Sequence, residues 1–327
     1  MFSSDQHKEI TYAEVEVALY DPNVRMRSLM RSILLTIGFR SINEARNARE
    51  IVATIRLQPT DLLIIDLDHE PDNICAFIRD IREGVFGTNP FIVIIGMTGN
   101  PEKAMISRLL QTGLDDLIAK PISPNILSER TMNLIRNRKK FLVTTSYIGP
   151  DRRGEKQRFE GDLESILVPN SLRYKTTGDK EAIADTVALD TIERLVNMHR
   201  IFRFAREICE ECERLEGEFA VNEIGKIPSW NYRDMAEKTD AINEKITFGN
   251  VEVLVPISES MRLVVKSIYA LEQPTARHFS ILRLHGEAIG EAIKDERAAA
   301  QLIAEALVQT VGIKGSTKLN PARQSAA

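Results

Sequence analysis

Four side chains stand where short apolar runs end: Asp21 after VEVALY, Asp66 closing DLLIID, Thr98 in FIVIIGMTG and Lys120 after DDLIA. Carboxylates of this kind are hard oxygen ligands for a divalent cation. A carboxylate is also a competent nucleophile toward phosphorus. A hydroxyl and an ammonium can bind and neutralise phosphoryl oxygens. The set fits transfer of a phosphoryl group to an aspartate, with metal and lysine neutralising the charge.

Such residues act together only if the fold brings strand ends to one edge. The strongest β-type runs are Val15–Tyr20, Asp61–Asp66 and Phe91–Ile95, with weaker ones at Ser41–Ala45 and Asp116–Ala119. Between them lie helical patterns. In Val24–Ile37, residues Met26, Leu29, Met30, Ile33, Leu34 and Ile37 recur at three- and four-residue spacing, and Gly38 follows as a stop. Ala45–Leu57, Asp72–Glu83, Pro101–Thr112 and Pro124–Arg138 read similarly. Five βα units with near-continuous apolar strands predict an α/β fold, a doubly wound five-stranded parallel sheet covered by helices on both faces. Ligands of such a sheet sit outside the carboxyl ends of its strands. Those ends carry Asp21, Asp66, Thr98 and Lys120.

The rest of the chain differs. Residues 139–183 are rich in Gly, Pro and charge and are expected to form a linker. From 184 to 312 the pattern is helical. Asp190 is the candidate N-cap of a helix reaching Ala220, and Tyr232–Ile246, Pro256–Leu271 and Ala276–Val311 supply three more. These suggest a mainly α-helical C-terminal domain for output or dimerisation. Residues 313–327 read as a disordered tail.

Bulk composition narrows the function classes. Of 327 residues, 43% are hydrophobic and 28% charged, an ordinary globular mixture with room for about two domains. A net charge of −4 gives no global field to recruit nucleic acid or anionic lipid. No apolar run approaches the ~20 residues that cross a bilayer. Three cysteines suggest no disulfide framework, and the reading is a reduced, cytoplasmic protein.

Over residues 14–138 the sequence resembles the receiver domain of bacterial two-component response regulators, a CheY-like, flavodoxin-like fold. DLLIIDLD resembles the family's third strand, FIVIIGMTG its fourth, DDLIAKPIS its fifth, and YDPNVRMR the end of strand one with the start of helix one. The resemblance implies Asp66 as phosphoacceptor, Thr98 and Lys120 as the hydroxyl and lysine that answer the phosphoryl group, and Asp21 and Asp66 with a main-chain carbonyl as Mg2+ ligands. It implies a histidine kinase or phosphotransfer protein as phosphodonor. It also implies a signalling protein rather than an enzyme, with at most Mg2+-dependent self-phosphoryl transfer and autodephosphorylation.

Three departures stand out. The family's adjacent acid pair is Asp21-Pro22 here, so the directly coordinating carboxylate is missing. Two unit charges about 4 Å apart interact by roughly 4 kcal/mol at an effective dielectric near 20, so the loss weakens metal binding. DLDHEP is one residue longer than usual, and Asp68 or Glu70 is available to compensate; Asp68 is otherwise expected to belong to the loop. The aromatic position three residues before the lysine is Leu117.

The remaining candidates have plainer readings. Cys209-Glu-Glu-Cys212 has no second pair to complete a zinc site and reads as two small side chains on a helix. His285 in LRLHGEAIGEAI could suggest a phosphotransfer histidine, but reads as a solvated or partly packed one. The basic stretches RNRKK (136–140) and DRRGEKQR (151–158) read as solvated linker, with a turn at Gly149-Pro150. YIGPDRRG resembles a segment that follows receiver domains in some alphaproteobacterial regulators. The primary expectation is a response regulator phosphorylated on Asp66, with output through protein–protein contacts of the helical domain, including a possible homodimer. Alternatives are a degenerate, non-phosphorylated docking receiver and a nucleic-acid-binding regulator. Neither membrane nor nucleic acid is an expected partner.

Overall fold

The structure, a computed structural model, describes residues 10–86, 89–99, 102–154, 165–221, 229–248, 251–270 and 275–310. The apolar runs become β1 (Glu16–Tyr20), β2 (Ser41–Ala45), β3 (Leu62–Asp66), β4 (Val93–Thr98) and β5 (Asp116–Ala119). They form one parallel sheet in the order β2-β1-β3-β4-β5. Helices α1 (Val24–Ile37), α2 (Ala48–Leu57), α3 (Pro71–Arg82), α4 (Lys103–Leu110) and α5 (Pro124–Asn137) alternate with the strands.

Every residue of β3 and β4 is buried, because both faces are covered. Leu62 and Ile64 point into a core shared with α1 and α5. Leu63 and Ile65 point into the opposite core, shared with α2 and α3. Helix α1 has the bounds its spacing predicts. Asn23 caps it by accepting from the Arg25 and Met26 amides, and Gly38 ends it at φ 121°.

Beyond α5 the structure departs from the linker expected over 139–183. β6 (Phe141–Val143), β7 (Ile148–Pro150) and β8 (Ser165–Ile166) form a small antiparallel sheet, followed by α6 (Ser171–Thr177). Gly149-Pro150 lies within β7, not in a turn. The strands are held by burial. Phe141, Val143, Ile148 and Ile166 share one core with the helices that follow. Gly113 ends the turn after α4 at φ +99°, and an added Cβ would sit 2.5 Å from the Ile148 carbonyl oxygen. Only glycine allows this approach of β7 to the parallel-sheet domain.

The helices are α7 (Thr186–Val221), α8 (Ser229–Phe248), α9 (Val255–Ala270) and α10 (Ala276–Thr310). The first starts earlier than expected: Asp185, not Asp190, accepts from the Ala188 amide at 2.8 Å. The earlier start carries Ala188 and Leu189 into burial. The expected tail (313–327) and residues 155–164 of the expected linker lie outside the described residues.

A buried charge cluster joins the parallel sheet to the small one. The Asp115 side chain is fully buried between Arg82 (2.8 Å) and Arg138 (2.8 Å). Arg82 also donates to the Gly113, Pro90 and Ile92 carbonyls, and both guanidiniums lie over the Phe141 ring. Burial works to raise the Asp115 carboxyl, but the two guanidiniums outweigh it and hold it below the usual carboxylate range.

Candidate phosphoryl-transfer site

Strand order reverses between β1 and β3, and the carboxyl ends of that pair carry Asp21 and Asp66. Asp66 is completely buried. Lys120 Nζ bonds its Oδ1. His69 Nδ1 lies 2.6 Å from its Oδ2, close enough for an N–H to donate to the carboxylate, and the His69 amide donates to the same oxygen at 3.3 Å.

Asp21 is 1% exposed. Its Oδ1 accepts from the Asn23 amide at 2.8 Å, while Oδ2 is buried without a hydrogen-bond partner. Burial first, and then the Asp66 charge, push its carboxyl up. An orphaned carboxylate oxygen beside a second carboxylate is the donor set a hard divalent cation satisfies. Magnesium in particular keeps several waters and takes one or two carboxylates plus phosphate oxygens. The residues fit such an ion as a two-carboxylate site. Pro22 adds no oxygen, and no cluster of three or more His, Cys, Asp or Glu ligands occurs among the described residues.

Thr98 and Lys120 come to the same edge from β4 and β5, and the Lys120 amide donates to the Thr98 carbonyl at 2.8 Å. The Lys120–Pro121 peptide is cis. Burial works to lower the Lys120 ammonium, but its bonds to Asp66 and Asp68 raise it overall, so it stays charged.

Asp68 was expected only as a compensating acid or a loop residue, and His69 was not assigned from the sequence. Asp68 accepts from Thr98 Oγ1 and Lys120 Nζ, each at 2.8 Å, and from the Gly99 amide. Burial works against its charge, but these three donors outweigh that and hold its carboxyl below the ordinary range. His69 covers Asp66. Both arise from the longer loop after β3, which closes with Glu70 in the left-handed region at φ 48°. Loop length was the only sequence signal. Leu67 anchors the loop's start against Gly96 of β4, where an added Cβ would lie 2.4 Å from Leu67 Cδ1.

The family model described as the response regulator receiver domain matches residues 17–132. This part of the chain is a response regulator receiver domain. Over 108 residues it is 32% identical to two-component system protein A of Emericella nidulans, covering 32% of this chain and 15% of that protein. It is 26% identical over 116 residues to a probable chemotaxis protein CheY of Rhizobium etli, covering 34% of this chain and 84% of that one. It is 30% identical over 123 residues to the transcriptional regulatory protein ResD of Bacillus subtilis, covering 38% and 49% respectively. Among solved structures, CheY4 of Vibrio cholerae is similar at 19% identity and a TM-score of 0.34, covering 37% of this chain and 98% of that one. The chain thus spans much less than two thirds of some of these relatives.

Leu117, at the receiver's aromatic position, is partly buried and packs on the core beside α3. Three arginines of the basic stretches are bonded to the protein rather than left in solvent, while Arg136, Lys139 and Lys140 are exposed and residues 155–158 lie outside the described residues. Arg138 bonds Asp115 and the Phe91 and Pro169 carbonyls, Arg153 pairs with Asp151 at 2.9 Å, and Arg152 caps carbonyls before β5. Cys209 and Cys212 belong to the helical part; Cys212 is buried, and burial raises both thiols, Cys209 to about 11. An added Cβ at Gly286 of α10 would lie 2.6 Å from Cys209 Sγ, so the pair marks close helix packing. His285 has both ring nitrogens engaged, with the Ile281 carbonyl at 2.7 Å and Ser260 Oγ at 2.8 Å. Among the described residues, no helix is long and apolar enough to cross a membrane.

Proposed function

We propose that the chain is a two-component response regulator in which Asp66 accepts a phosphoryl group from a phosphohistidine of a histidine kinase or phosphotransfer protein. The reading is carried by one observation: the buried Asp66 carboxylate is paired with Lys120 next to Asp21, whose Oδ2 is buried and unpartnered. An Asp66 oxygen attacks phosphorus, the P–N bond breaks, and the donor imidazole nitrogen keeps the electron pair. Lys120 and Thr98 answer the negative charge on the transferred group. Asp21 and Asp66 would hold magnesium, which would supply further charge neutralisation for the transferred group.

Residues 184–312 act as the output, through contacts with another protein or a second copy of the chain, joined to receiver residues 14–138 through 139–183. Loading of the site shifts the β4–β5 face. That face is tied to the small sheet, whose side chains share the helical core.

A second reading is a receiver that docks without being phosphorylated. Pro22 in place of an acid and the Asp68 contacts favour it. Phosphoramidate, a small donor with a P–N bond, separates the two. With magnesium, the wild-type chain is expected to gain one phosphoryl group, and Asp66→Asn none. No gain in the wild type sinks the phosphorylation reading.

A further inference from the structure

Three donors available to a phosphoryl group on Asp66 are already bonded to another carboxylate of this chain. Thr98 Oγ1 donates to Asp68 Oδ1 at 2.8 Å. The Gly99 amide is shared between Asp68 Oδ1 and Oδ2, at 3.0 and 2.9 Å. Lys120 Nζ reaches Asp68 Oδ2 at 2.8 Å while also bonding Asp66. A hydroxyl, an amide and an ammonium, contributed from the ends of β4 and β5, converge on one anion. We infer that the Asp68 carboxylate is the resident ligand of this anion cradle and that a phosphoryl group on Asp66 must displace it. The inference rests on reading the cradle as the phosphoryl site.

The chemistry supports exchange rather than a permanent lock. Charge-assisted bonds from an ammonium and an amide are the strong kind, so an empty cradle is costly and a carboxylate fills it well. A phosphoryl group brings more negative charge, near −2, and three acceptor oxygens, so it outcompetes a carboxylate once attached. Asp68 has somewhere to go, because its side chain keeps 29% of its surface in water. Asp66 has no such freedom, being completely buried. The loop is also built to deliver Asp68: Leu67 is pinned against Gly96 on one side and Glu70 takes its left-handed turn on the other. Before phosphorylation, then, Thr98 and Lys120 are already held as if an anion were loaded. Asp68 opposes the first step and mimics part of its result.

The test uses the full chain labelled with 15N-glycine, which has 17 glycines, and Gly99→Ala to identify the Gly99 amide. Wild type, Asp68→Asn and Asp68→Ala are titrated with beryllofluoride in the presence of magnesium. Removing Asp68 is expected to move the Gly99 amide upfield before any addition. It is also expected to lower the half-saturating beryllofluoride concentration at least tenfold in Asp68→Ala, with Asp68→Asn in between. A Gly99 amide unmoved in Asp68→Ala, or equal half-saturation in all three proteins, overturns the inference. If none takes up beryllofluoride, the phosphorylation reading fails, and the Gly99 shift alone then decides: a shift supports resident Asp68, no shift overturns it.

Discussion

Arg152 Nη2 donates to the Leu114 carbonyl at 2.5 Å, tying the residues just after β7 to the turn that leads into β5. The same side chain reaches the Leu110 and Asp115 carbonyls and the Tyr147 hydroxyl, at 3.4, 3.3 and 3.1 Å. One guanidinium therefore holds the receiver's β5 side against the small sheet.

Arg152→Ala is expected to cost about 1–3 kcal/mol, the penalty of leaving part-buried carbonyls unpaired. The effect should be local. Hydrogen exchange should quicken in 110–116 and 141–150 while β1 and β3 stay protected. Unchanged exchange in both segments would mean that Arg152 does not couple the two sheets.

The Asp115 cluster carries a pH signature. Its folded-state carboxyl is held below the usual range, so its contribution is fully present above the unfolded carboxylate value of about 3.9. That contribution is lost as pH falls through the lower folded value. Asp115→Asn removes the counter-charge from two buried guanidiniums and should cost about 3–5 kcal/mol at neutral pH. Urea midpoints taken against pH should show the gap between variant and wild type closing only in acid. A gap that stays constant down to acid unfolding would refute the electrostatic origin.

Asp21 gives the opposite sign. Its carboxyl is buried, half unpartnered, and pushed up by burial and by Asp66. Without divalent cations, Asp21→Asn should stabilise the chain by about 1 kcal/mol, because a repelled buried charge is removed. The same variant should need at least tenfold more magnesium for beryllofluoride uptake. Denaturant midpoints and a magnesium titration read the two effects separately, and a destabilised variant with unchanged magnesium demand would exclude the two-carboxylate site.

The receiver half was legible because its signals are local. The apolar runs of β3 and β4 and the spacing of Met26 to Ile37 need no distant partner to be recognised. The same holds for Asp21, Asp66, Thr98 and Lys120, which end strands whose parallel order brings them to one edge. Asp68 was not legible as a ligand of Thr98 and Lys120. Its direction depends on the positive φ of Glu70 and on the space Gly96 leaves for Leu67, which are properties of the folded loop. The small sheet was missed for a related reason. Strands of three, three and two residues are too short to show alternation, and Ile148 and Ile166 are buried by helices supplied much later in the chain. Arg138, Arg152 and Arg153 resemble a solvated basic linker until their carbonyl and carboxylate partners are seen.

The most direct test of the central claim is chemical trapping at position 66. An acyl phosphate of aspartate is reduced by borohydride to homoserine, which peptide mass spectrometry locates. After incubation with phosphoramidate and magnesium, the account expects homoserine at 66 in the wild type, more of it in Asp68→Ala, and none when magnesium is chelated. Wild type retaining unmodified Asp66 under all conditions would contradict it.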